Sequence, residues 1–133
     1  MSLIRWIAVG YVIALTFAGL LNYIPGITDA QGRSFGIFAL DIFDDLLHFV
    51  SAGWALVAAW LSHRATEIFL KLFGALYLAD GVMGLIFGSG YLDLGILIYG
   101  VQNLPFSFKI MANLPHIGLG GFALFSGLFL SKR

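Results

Sequence analysis

The sequence predicts an all-α fold, an integral membrane four-helix bundle built from two tandem helical-hairpin repeats. Three observations carry this. The 133 residues are 60% hydrophobic and only 11% charged. Soluble domains carry about 25% charged residues, and a domain this small cannot hide so much apolar surface from water. The apolar residues fall into runs near the length of about 20 residues that crosses a bilayer as a helix. The chain also partly repeats itself at an offset of 68 residues.

Composition excludes several function classes. Formal net charge is zero, so there is no basic footprint for nucleic acid. There is no cysteine, hence no disulfide, thiolate nucleophile or iron–sulfur site. No nucleophile–base pair, phosphate loop or zinc-protease motif is present, so no catalytic residue is expected and an enzyme is the least favoured class.

The first span is expected from Leu3 to about Ile24, closed by Pro25-Gly26. Its basic start and Thr28-Asp-Ala30 resemble a signal peptide with a cleavage site. The apolar run from Trp6 to Ile24 is long enough to span, so retention is the expectation. A polar, Gly-rich loop from Pro25 to Gly36 follows. The stretch from Asp41 to Arg64 then organises the chain: a polar head with Asp41, Asp44, Asp45 and His48 at helical spacing, an apolar run, and a basic end. Its span runs from about Ile42 to Leu61. Span three runs from about Thr66 to Phe87, with Thr66 as N-cap. Residues 91–111 are broken by Gly95, Gly100 and Pro105 and read as an interfacial or partly re-entrant connection. Span four runs from Asn113 to Leu130, with Asn113 suited to the N-cap and Pro115 to the first turn.

Lys and Arg in short flanks set orientation. Arg5, Arg64, Lys71, Lys132 and Arg133 gather on one side, Arg33 and Lys109 on the other. Both termini are therefore expected in the cytoplasm, with the chain in an inner membrane of bacterial type.

At offset 68, Leu46, His48, Gly53, Ala55 and Leu56 fall on Leu114, His116, Gly121, Ala123 and Leu124. Phe38 falls on Phe106, Ile42 on Ile110, Asp45 on Asn113 and Arg64 on Lys132. Spans one and three match at offset 66, Arg5 on Lys71 and Tyr11 on Tyr77. One transmembrane domain, 1–133, is expected, with repeat one at 1–65 and repeat two at 66–133. Two parallel repeats imply a pseudo-two-fold axis along the membrane normal, which brings His48 and His116 to one depth.

The segments Gly36-Ile-Phe-Ala-Leu-Asp-Ile-Phe-Asp-Asp-Leu-Leu-His48 and Pro105-Phe-Ser-Phe-Lys-Ile-Met-Ala-Asn-Leu-Pro-His116 resemble an uncharacterised bacterial family of small four-helix membrane proteins, a domain of unknown function. The resemblance implies an Asn-x-x-His element entering helices two and four. Asn113 with His116 fits it. His48 fits with Asp45 in place of Asn, and Asp44 stands where the family often has a further His. The resemblance supports the topology and adds no activity.

His48 and His116 are the sharpest candidates. Placed in the first turns of their helices, they would meet the positive end of the helix dipole, which disfavours protonation, and neutral imidazole ligates metal or haem iron. One reading is a site for haem b or a metal ion, with Asp44 and Asp45 as further ligands. Another is that the two are interfacial residues, with Asp45 and Asn113 as plain caps. Asp80 is the most costly residue, since an Asp at mid-span costs about 3 kcal/mol. Tyr77 lies one turn away on its face, and Tyr11, His48 and His116 are its candidate partners. Asp41, Asp44 and Asp45 read as a solvated acidic helix start, and His63 as solvated. Gly10, Ala14, Ala18, Gly53, Gly74, Gly81, Gly84, Gly118, Gly120, Gly121 and Gly127 read as small residues that let helices approach closely in lipid.

Three function classes follow: a binding or accessory subunit of a larger membrane complex or homo-oligomer, which needs no cofactor; a haem or metal electron carrier on His48 and His116; and a small proton- or ion-linked transport module using Asp80. The orientation has a direct check. In intact cells, Gln31→Cys is expected to react with an impermeant thiol reagent and Ser131→Cys is not; the reverse pattern contradicts the orientation.

Overall fold

Several helix ends fall at places other than those the sequence suggests, and one of them is set by a serine side chain. The computed structural model describes residues 2–24, 26, 33–34, 38–39, 42–88, 90–92, 95–101 and 105–131. Asp41, the side chain of Asp44 and most of the 25–41 connection lie outside the described residues. The protein is all-α. Helix α1 spans Leu3–Leu20 and runs into a 3-10 turn at Leu21–Tyr23. The two-residue strands β1 (Arg33–Ser34) and β2 (Phe38–Ala39) pair antiparallel, Arg33 with Ala39 and Ser34 with Phe38. Then come α2 (Ile42–Leu61), α3 (His63–Phe87), the short α4 (Gly95–Tyr99) and α5 (Phe106–Phe129).

The second helix has its expected bounds. The third does not: Ser62, not Thr66, caps α3, its hydroxyl accepting from the Ala65 N–H at 3.0 Å. Thr66 is wholly buried, and its hydroxyl donates to the carbonyls of Ala58 and Ser62. α5 starts at Phe106, seven residues before Asn113. Pro115 therefore sits inside the helix rather than in its first turn. The Asn113 amide caps nothing and donates back to the Lys109 carbonyl at 2.8 Å. The broken 91–111 segment is thus partly the first turns of α5 and partly α4.

α3 packs chiefly on α5, and α1 chiefly on α2, with further contact of α3 to both α1 and α2. Glycines make the α3–α5 contact close. A Cβ on Gly74 would collide with the Leu124 backbone, one on Gly120 with the Leu78 backbone, and one on Gly84 with the Asn113 amide. Gly81 meets Ile117, and Gly127 meets Lys71, in the same way. Gly10, Gly53, Gly118 and Gly121 do not serve this purpose, for a Cβ on any of them meets nothing within 4 Å. Gly10 and Gly118 instead line a cavity of about 410 Å³ between α1 and α5. The core is aromatic along α3: Phe69, Phe73 and Tyr77 stack at centroid distances of 5.0 and 4.0 Å. Tyr11 meets Phe69 and Phe73 edge-on, and Trp54 meets Phe69 edge-on.

The end of the bundle that holds both termini is tied by side chains. Arg5 donates to the carbonyls of Ala59 at 2.8 Å and Trp60 at 3.0 Å, satisfying the last turn of α2 and its negative dipole end. His63 is buried, not solvated. One ring nitrogen pairs with the Ser2 hydroxyl at 2.8 Å and the other with the Ser131 carbonyl.

Among the described residues, α1 and α3 are long and apolar enough to cross a membrane, and the apolar run of α2, Asp45–Leu61, is shorter. α5 is diluted by Asn113, Pro115, His116 and its glycines. The α3–α5 contact gives a paired test. Gly120→Leu forces the helices apart and is expected to lower stability by more than the roughly 1–3 kcal/mol of ordinary overpacking. Gly121→Leu, one residue on, is expected to change it by under about 0.5 kcal/mol. Thermal unfolding in detergent reads both, and equal effects would contradict the packing.

Candidate functional site

A polar layer crosses the bundle near the end opposite the termini. Asp80 is its centre. Eight residues before α3 turns over at Gly88 in the left-handed region (φ 80°), its carboxylate points back at the chain that follows. Oδ1 accepts the N–H groups of Tyr91 at 2.8 Å and Leu92 at 3.0 Å, and Oδ2 pairs with His116 Nδ1. The fit requires glycine at 90, where a Cβ would collide with the carboxylate. Tyr91 closes the turn by donating its hydroxyl to the Leu76 carbonyl at 2.9 Å. Burial, and then the Asp80 carboxylate, push the Tyr91 phenol above its ordinary value. Asp80 is 3% exposed. A buried carboxylate needs such partners, because stripping it of water is costly unless it is hydrogen-bonded.

Of the three partners expected for Asp80, the structure selects His116. Tyr11 donates instead to the Leu119 carbonyl. His116 lies ten residues into α5, not in its first turns, so the dipole argument for a neutral ring does not apply to it. Asp80 fixes the ring instead: with Nδ1 engaged, Nε2 faces away from the carboxylate. His48 is buried in the second turn of α2, and its ring lies 6.3 Å from that of His116, edge-on. Tyr77 packs on His116 at 4.9 Å and approaches the Ser51 hydroxyl at 3.4 Å. Asp45 is 4% exposed and takes the Tyr23 hydroxyl on Oδ2 at 2.9 Å, so it is neither a solvated head group nor a plain cap.

The structure thus brings together His48, His116, Asp80 and Tyr77. It places Tyr11 and Asn113 outside the layer, Asn113 packing its amide against Gly84. Among the described residues no three His, Asp or Glu side chains are grouped to hold a metal ion. The cavity of about 410 Å³ lies over Tyr11, not between the two histidines. Sequence reasoning missed three contributors: Gly90 with its neighbouring N–H groups, Ser51, and Tyr23 as partner of Asp45. The glycines at 88 and 90 were the available signal, since glycine at both positions marks a turn after α3.

One further regularity links the two halves. Tyr11 on α1 bonds position 119 on α5, and Tyr77 on α3 bonds position 51 on α2. The tyrosines are 66 residues apart and their partners 68, the offsets of the sequence repeat.

Comparison with known proteins gives no match: no family model, curated protein or solved structure is similar to this chain.

Asp80→Leu tests the site as a structural element. It leaves two backbone N–H groups and an imidazole without their acceptor, which costs about 1–3 kcal/mol for each unsatisfied group. The expected loss is therefore well above the average of about 0.6 kcal/mol for an interhelical hydrogen bond in a membrane. A loss at or below that average in denaturant unfolding would show that Asp80 does not organise the turn.

Proposed function

We propose that this chain is an integral membrane protein that serves as a binding or accessory subunit, and that its working part is a proton-binding layer of Asp80, His116 and His48. The observation that carries the proposal is the Asp80–His116 pair, a buried carboxylate against an imidazole that is 20% exposed, in a helix contact that glycines make close, with the buried His48 ring 6.3 Å from that of His116. Ionisable groups inside an apolar bundle are functional candidates, because each costs stability that a purely structural side chain would not. Imidazole is the side chain that exchanges protons near neutral pH, and a carboxylate bonded to one ring nitrogen orients it. A metal centre needs more ligands than the described residues gather.

The membrane part of the proposal draws on the outer surface. Trp60 is 81% exposed, Leu97 79% and Val50 68%, a surface that suits lipid and not water. Trp6 and Trp60 lie toward one end and Tyr23 toward the other, as interfacial aromatics do. Two crossed tyrosine bonds at repeat-related positions, and two histidines facing each other, are what a pseudo-two-fold axis between parallel hairpins produces. The resemblance to small four-helix membrane proteins belongs to the same proposal.

The test is a pH titration of the imidazole nitrogens by NMR on the purified protein in lipid, with an absorption spectrum beforehand. The proposal expects no Soret band. It expects both histidines to titrate, and both curves to change in Asp80→Asn. A Soret band would replace the proton reading by a haem b carrier on His48 and His116. Histidine curves indifferent to Asp80→Asn would reduce the layer to a structural hydrogen bond.

A further inference from the structure

We infer that Ser2 and His63 form a nucleophile–base pair, with which the chain cleaves esters of apolar acyl groups at the end of the bundle that holds both termini. The inference is independent of the proton-binding layer, which lies at the opposite end.

The starting observation is a forced tautomer. His63 Nε2 meets the backbone carbonyl of Ser131, and a carbonyl only accepts. Nε2 therefore carries a proton, and in a neutral imidazole the other nitrogen is then bare. That nitrogen, Nδ1, lies 2.8 Å from the Ser2 hydroxyl, so the hydroxyl donates to it. A hydroxyl that donates to a bare imidazole nitrogen, while a third group holds the other nitrogen, is the arrangement that activates a serine. Here a backbone carbonyl stands where a carboxylate stands in the Ser-His-Asp triad. His63 is 8% exposed, so packing fixes its ring, whereas Ser2 is half-buried and within reach of a substrate. The two residues are 61 positions apart, which is why no local motif announces them.

Other hydroxyls at this end are used differently. Ser62 accepts from the Ala65 N–H, and Thr66 and Ser126 donate to backbone carbonyls. Ser2 stands at the N-cap of α1, yet its side chain makes no capping bond. An N-cap side chain engages the N–H of the second or third helical residue, here Ile4 or Arg5. Those groups are left for another acceptor joined to the same Oγ. They suit the oxyanion that forms when the hydroxyl adds to an ester carbonyl. The Arg5 side chain takes no part, because it is committed to the carbonyls of Ala59 and Trp60.

The surroundings set the substrate class. Leu3 and Trp6 follow Ser2 on α1, and Trp60 and Leu61 are brought to this end by the Arg5 bonds; all four are exposed. Such a surface suits an apolar acyl chain. The reaction needs only water as co-reactant. Oγ bonds to the acyl carbon and its proton passes to Nδ1. The ester C–O bond breaks, and the alcohol leaves with that proton. Water then adds to the acyl carbon and gives a proton to Nδ1. The Oγ–acyl bond breaks, Ser2 recovers the proton, and the carboxylic acid departs.

The test treats the purified protein in detergent with a fluorophosphonate probe, locates the adduct by peptide mass spectrometry, and follows hydrolysis of 4-nitrophenyl octanoate. The adduct is expected on Ser2. His63→Gln keeps a donor and an acceptor at the site but no base. It is expected to slow labelling and hydrolysis at least about a hundredfold, within the roughly 10²–10⁴ that a general base supplies, with thermal unfolding unchanged. Ser2→Ala is expected to reduce hydrolysis to that of protein-free micelles. A wild type whose Ser2 stays unlabelled, or reacts no faster than in His63→Gln, overturns the pair and leaves a structural tie between the chain ends. Hydrolysis unchanged in Ser2→Ala overturns it even where His63→Gln does not fold. Labelling without ester turnover overturns the proposed activity.

Discussion

A carboxylate buried between two apolar helices must be surrounded by donors, and the region around Asp80 is built to that requirement. α3 and α5 approach closely because Gly74 and Gly120 let the backbones meet and Gly81, Gly84 and Gly127 make room for Ile117, Asn113 and Lys71. That approach sets His116 against Asp80. The chain beyond α3 then folds back, over a glycine at 90 that alone fits, to give the same carboxylate two backbone N–H groups. Helix packing thus sets the pair, and the turn and the orientation of the His116 ring answer to the buried carboxylate. Removing the charge would leave donors facing an apolar pocket, and filling a glycine would move the donors away from the charge.

The two ends of the bundle use polar groups differently. At the terminal end, Arg5, His63, Thr66 and Ser62 each satisfy a backbone group or another hydroxyl, and together they close α1, α2 and α3 on one another. None of them faces an unmet need. At the other end one buried oxygen of Asp45 has no donor among the described residues, and two imidazole rings lie 6.3 Å apart. Between the ends lies the column of aromatic rings on α3. The contrast is between an end whose polar side chains are partnered and an end where one buried carboxylate oxygen has no partner among the described residues.

Much of this was legible in the sequence, and the reasons for the exceptions are specific. The helical class follows from composition and run length, and α2 matches its expected bounds. Asp80, His48 and His116 stand out because charge and imidazole are costly in apolar surroundings. Helix starts were misread at Thr66 and Asn113, because both residue types cap helices and both can bond carbonyls within one. Thr66 took the second option across to Ala58, and Asn113 took it within α5. The glycine stripe was over-read: spacing marks small residues without saying which face meets a neighbour, so Gly10 and Gly118 came to line a cavity. His63 was misread because its partners, Ser2 and Ser131, lie at opposite ends of the chain. Contacts over such separations leave no local pattern.

The central claim is that Asp80 and His116 act as one unit across the α3–α5 contact. A double-mutant cycle measures this directly, with Asp80→Asn, His116→Gln and the double variant compared by reversible unfolding in detergent. The account predicts a coupling energy of about 1–3 kcal/mol, the range for residues sharing a hydrogen-bond network. Additivity within about 0.5 kcal/mol, the behaviour of independent sites, would contradict it.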